Sequence, residues 1–120
     1  MGEPTSEANI KPEQFPRFKL SPSATNIGYW EDGYQFQANF NIPEEDLISS
    51  FTGLKFEEIT ERVSYMVWQF GDTSVEQNTR RQREWTTNGL MHREFEADGG
   101  GYFIVYDRDK SLVSIDYATH

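Results

Sequence analysis

Nine consecutive residues, Tyr34-Gln35-Phe36-Gln37-Ala38-Asn39-Phe40-Asn41-Ile42, alternate between apolar and polar without a break and stop at Pro43. A period of two is the pattern of an extended strand. It puts Tyr34, Phe36, Ala38, Phe40 and Ile42 on one face and the four amides on the other. The chain must therefore build a sheet with at least one buried face. Asp32-Gly33, just upstream, predicts a hairpin turn with Tyr29 and Trp30 in the partner strand.

Pro43 suits a first helical position, and Glu44, Glu45 and Asp46 suit the positive end of a helix. Leu47, Ile48 and Phe51 supply an apolar side and Gly53 a stop. The spacing predicts a short helix over Pro43 to Thr52. Phe56, Ile59, Val63, Met66, Val67 and Phe70 then recur at three and four, which predicts a second helix over Lys55 to Phe70. Val63 to Phe70 is also rich in strand formers, so its second half is open to a strand. Residues 71–88 read as a long loop. Leu90–Ala97, Tyr102–Tyr106 and Leu112–Tyr117 read as a C-terminal β-meander joined by Asp98–Gly101 and Asp107–Lys110. These elements together predict an α+β fold: an antiparallel sheet of about four or five strands with one or two helices packed on one face.

Residues 1–14 are polar and read as a flexible tail, because they offer too little apolar area to offset the entropy of ordering. Residues 15–27 carry Phe15, Phe18 and Leu20 between Pro16 and Pro22 and read as an extended arm laid on the core. The expected organisation is a tail over 1–14 and one domain over 15–120. Aromatics make up 15% of the chain, enough to give so short a sequence a core.

The formal net charge of −9 argues against nucleic acid and anionic membranes as partners, since both are held through Lys and Arg. It is compatible with a protein partner, a basic one in particular. No cysteine is present, which excludes disulfides, thiolate metal sites and cysteine nucleophiles. No apolar run approaches the ~18–20 residues of a transmembrane helix. Nothing in the pattern calls for a cofactor.

Ser21-Pro22-Ser23-Ala24-Thr25-Asn26-Ile27, the strand after it and Pro43–Phe51 resemble a set of small uncharacterised bacterial proteins, many of them secreted or lipid-anchored. The resemblance implies a structural role for Ser21–Ile27. It also implies a location in the cell envelope, periplasmic or lipid-anchored, with the polar tail as a tether after a leader is removed. It implies no activity and transfers no functional residue.

Several groups could carry chemistry. Arg80, Arg81 and Arg83 form the only basic run, and with Trp85 they make a ligand-facing surface for a carboxylate or phosphate. His92 joins them as a candidate, because it can titrate near neutrality. Glu94 and Glu96 share its side of a strand and could complete an acid/base site, although an exposed polar face is the plainer reading. Asp107-x-Asp109-x-Ser111 opens like a calcium loop, but Leu112 stands where Gly is needed and Ala118 where Glu is needed, so it reads as a turn. Glu57, Glu58 and Glu61 read as a solvated face. No catalytic or metal-binding set is predicted.

Three functions follow. The first is a non-catalytic binding or interaction module, which requires at least one of Tyr29, Trp68 and Trp85 to be exposed. The second is an acidic inhibitor or immunity-type protein of a basic partner. The third is a small enzyme using His92 with Glu94 or Glu96. The missing catalytic motifs tilt the reading away from an enzyme.

Overall fold

The computed structural model describes residues 4–71, 81–95 and 100–118. It shows a mostly β fold. The strands are β1 (Thr5–Ile10), β2 (Thr25–Glu31), β3 (Gln35–Asn41), β4 (Glu57–Glu58), β5 (Val63–Trp68), β6 (Arg81–Thr86), β7 (Gly89–Phe95), β8 (Gly101–Asp107) and β9 (Leu112–Ala118). Seven form one antiparallel sheet in the order β1-β2-β3-β9-β8-β7-β4, and β5 and β6 form a separate ribbon. One α-helix, α1 (Glu44–Ser50), is present among the described residues. The expected α+β fold with four or five strands and one or two helices is overturned.

The largest part of that correction lies in 55–70. The expected helix is instead the short β4, a turn and β5. Its apolar spacing serves two separate layers. Phe56 packs into the main core, while Ile59, Val63, Tyr65 and Val67 join a second cluster with Val105, Met91, Phe103 and Leu112. Residues 71–88, expected as a loop, contain β6.

The hairpin at Asp32-Gly33 forms, with Tyr29 opposite Ala38 and Trp30 opposite Gln37. Asp32 Oδ1 accepts from the backbone N–H of Tyr34 and of Gln35 at 2.9 and 2.8 Å, as turn-forming Asp residues do. The chain ends in the expected meander, with β7, β8 and β9 paired in sequence order. Thr5–Ile10, within the segment read as a tail, pairs with β2 as the edge strand β1.

The two sheet faces have different covers. Phe36, Ala38 and Phe40 of β3 lie beside Ile115 and Val113 of β9 and Ile104 and Tyr106 of β8, all essentially buried. The arm and α1 close this face. Phe15 packs edge-on against Phe36 and Phe40, and Phe51 stacks with Phe40. Ser23 donates to Asp46 at 2.6 Å, and Ser50 Oγ accepts from the backbone N–H of Ser21 at 3.0 Å, which ties the arm to α1.

The β5–β6 ribbon covers the opposite face. Asn39, on the polar side of the alternating strand, is buried there and grips β5 like a missing strand. Its Nδ2 donates to Met66 O at 3.0 Å and its Oδ1 accepts from Trp68 N at 2.9 Å. Ser114 also donates to Met66 O, at 2.8 Å. Tyr65 donates to Asp107 Oδ2 at 2.6 Å across the same interface.

No helix among the described residues is long and apolar enough to cross a membrane.

Candidate functional site

Strand alternation puts Arg81, Arg83 and Trp85 on one side of β6, and all three are exposed. Gln82, Glu84 and Thr86 face the other way. Thr86 is buried, and Glu84 accepts from Lys110 at 2.7 Å. That bond holds the Glu84 carboxyl below its ordinary value, with a contribution from the Gln82 amide beside it. The ribbon thus has an inner side committed to its own fold and an outer side available to a ligand.

The outer side is built around Trp85, which is 48% exposed. The Arg62 guanidinium lies 4.3 Å from its ring centroid, and that of Arg83 lies 6.0 Å away. A cation over an indole face gains from the ring quadrupole and keeps its N–H groups free for a ligand. Arg83 Nη1 also donates to Ser64 Oγ at 3.3 Å, which orients the side chain across the ribbon. Among the described residues Arg62, Arg81 and Arg83 form no ion pair with a carboxylate. Arg81 feels the charge of Asp116 on the main sheet. Two guanidinium groups therefore gather at one indole, with Arg81 on the same side of the strand, on a protein carrying −9 overall.

Of the predicted ligand-facing residues, Arg80 lies outside the described residues. The structure brings Arg81, Arg83 and Trp85 together. It sets His92 apart, because His92 lies opposite Ile104 on the face that carries the main core, away from the ribbon. Trp68 is buried and Tyr29 is half-buried, so Trp85 alone of the three aromatics has a broadly exposed face. Arg62 was missed. Its partnership with Trp85 depends on a β5–β6 pairing that nothing in the local sequence announces.

His92 is not on an exposed polar face. Its ring is 9% exposed and packs against Phe56. The carbonyl of Lys55 lies 2.8 Å from Nδ1, which fixes the orientation of the ring. Nε2 is buried without a hydrogen-bond partner among the described residues and lies 3.4 Å from Glu94 Oε1. The ring borders a hollow of about 370 Å3 with Lys55, Glu57, Met91, Arg93 and Phe95. Glu96, the other proposed partner, lies outside the described residues. No group of three His, Asp or Glu side chains is arranged to hold a metal among the described residues.

A hollow of about 570 Å3 lies along the arm and is lined by residues from Pro12 to Pro22, among them Phe15, Phe18 and Arg17. None of the predicted ligand-facing residues borders it. The Asp107 loop acts as a turn: Asp107 accepts from Tyr65 and from the backbone N–H of Asp109.

No protein-family model, curated protein or solved structure matches this chain.

Proposed function

We propose that this protein is a non-catalytic binding module whose ligand-facing surface is the outer side of the β5–β6 ribbon. The observation that carries this reading is the exposed pair Arg62 and Arg83 at the half-exposed Trp85, with Arg81 on the same side of β6 and none of the three in an ion pair among the described residues. Arginine forks recognise carboxylates and phosphates in pairs of hydrogen bonds, and an exposed Trp is the commonest anchor of a binding surface. The ligand is anionic at this surface. Nucleic acid is disfavoured by the charge of the rest of the chain.

The inhibitor reading, in which acidity meets a basic partner, draws on net charge alone and on no particular surface. The enzyme reading has a hollow and a His92–Glu94 pair to support it. It has against it a ring wedged against Phe56 with its Nε2 buried. An envelope tether remains part of the proposal only through the sequence resemblance.

The test is a titration with poly-glutamate followed by calorimetry. The wild type should respond, and Trp85→Ala or Arg83→Ala should abolish or weaken the response at least tenfold. A response that survives both substitutions, or none in the wild type, contradicts this reading.

A further inference from the structure

The ribbon has two long edges, and they are not equivalent. The outer edge of β5 is already satisfied: Asn39 and Ser114 reach up from the main sheet and occupy Met66 O and Trp68 N. The outer edge of β6 has no such cover among the described residues, and the ribbon ends there. An open edge is a row of backbone donors and acceptors spaced to receive another strand. Resting on the binding reading above, we propose that β6 is extended by an acidic, extended segment of a partner protein, which adds to this edge as the third strand of the ribbon.

The side chains along β6 specify what that segment carries. Residues opposite one another on neighbouring strands have Cβ atoms about 4.5–5.5 Å apart. An incoming strand therefore places alternate side chains beside Arg81, Arg83 and Trp85. Carboxylates at the first two positions meet the guanidinium groups of Arg81 and Arg83, which form no ion pair among the described residues, and an apolar residue at the third covers the free part of the indole. The intervening side chains point to the inner side, where Glu84 already holds Lys110. A carboxylate there would face Glu84, so those positions are neutral. The recognised pattern is acid, neutral, acid, neutral, apolar. A run of adjacent acids fits worse, because half of them point at Glu84. Charge complementarity thus sets the face, and the backbone edge sets the extended conformation.

The experiment uses the whole protein and synthetic peptides of about seven residues, a strand's usual length. The parent peptide alternates Glu with Thr and ends in Leu. A second peptide has the same composition with its Glu residues adjacent. Two more carry N-methyl groups on alternate amides, offset from each other by one residue. Binding is read by calorimetry, and β6 backbone protection by amide exchange.

The parent should bind and protect β6 amides. The adjacent-acid peptide should bind at least fivefold more weakly. One N-methyl series should lose at least tenfold and the other should keep its affinity, since only one set of amides faces β6. Arg81→Ala with Arg83→Ala should remove binding of the parent. Two N-methyl series that bind like the parent, with β6 amides unprotected, would overturn strand addition while leaving the charged face intact. Failure of every acidic probe, poly-glutamate included, would remove the binding reading itself. Tighter binding of oligothymidine than of the parent, or self-association lost in Arg83→Glu, would overturn the proposed partner.

Discussion

At the scale of single residues, the interface between ribbon and sheet depends on a few polar groups that have no substitute. Asp107 is 2% exposed, and its carboxylate is met by the Tyr65 hydroxyl and a turn amide. The burial of Tyr65 and its bond to Asp107 push its phenol far above its ordinary range, so it stays a donor at any working pH. Tyr65→Phe should leave one Asp107 oxygen without its donor and cost about 1–3 kcal/mol in urea unfolding. A loss near zero would mean that water replaces the hydroxyl at that oxygen. Gly89 is fixed for a different reason. A Cβ there would sit 1.8 Å from the Tyr106 carbonyl oxygen, which is backbone and cannot step aside. Gly89→Ala should therefore destabilise by more than about 2 kcal/mol, read as a lower urea midpoint, whereas Gly53→Ala, with nothing near it, should not.

Arg108 shows how residue-scale charge sets a pH response. Its guanidinium contacts Glu44 Oε1 at 2.6 Å and Glu58 Oε2 at 2.9 Å, joining α1 to β4. The bond to Arg108 holds the Glu44 carboxyl below its ordinary value of 4.5. A carboxyl lowered by folding stabilises the fold at pH values above its unfolded value. That contribution is lost as pH falls through the folded value. Both groups are solvent-exposed, so screening keeps the gain small. The urea midpoints of wild type and Glu44→Gln should differ at pH 7 and converge below pH 4.5. A gap that stays constant down to pH 3 would remove the Arg108 contact as its cause.

At the scale of elements, Asn39 decides whether β5 and β6 stay on the sheet. Asn39→Ala strips Met66 O of one donor and Trp68 N of its acceptor. Amide exchange should speed up across β5 and β6 first, and in β3 and β9 much less. Uniform acceleration through the whole sheet would show that the ribbon is not a separate cooperative unit.

The elements also differ in how far the sequence disclosed them. The alternating Tyr34–Ile42, its Asp-Gly turn, the helix start at Pro43 and the closing meander all follow from local pattern, because each element shows its own period and its own stop. The 55–70 stretch misleads because its apolar residues serve two layers on opposite sides of the sheet, and their spacing imitates a helix. β1 leaves almost no trace. Its residues are mostly polar, and what holds it is the backbone ladder to β2, the packing of Ile10 against the main core and contacts such as Ser6 Oγ accepting from Gly71 N. The site was legible in part. Arg81, Arg83 and Trp85 stand at strand spacing in a basic run, but Arg62 joins them only through the ribbon's pairing. His92 looked like a neighbour in sequence and lies on the other face.

At the scale of the whole molecule, one sheet has two unequal covers. The arm, α1 and the aromatic core close one face. A two-stranded ribbon held by Asn39, Ser114 and Tyr65 covers the other. The ribbon carries Arg62, Arg81 and Arg83 of an acidic protein, and among the described residues none of the three is held in an ion pair. At physiological salt, charges more than about 8 Å apart are largely screened from one another. A ligand seated on β6 therefore responds to the nearby guanidinium groups more than to the distant acids. Affinity for poly-glutamate should accordingly fall as salt rises, and an affinity that rises with salt would show that the net charge dominates.

The most direct measurement is amide chemical-shift mapping of the protein titrated with the alternating Glu-Thr peptide. Strand addition to β6 should concentrate the shifts in Arg81–Thr86 and around Arg62 and Ser64, and they should be absent when Trp85 and Arg83 are both replaced by alanine. Shifts centred on the His92 hollow or on the Pro12–Pro22 arm, with β6 unchanged, would contradict it.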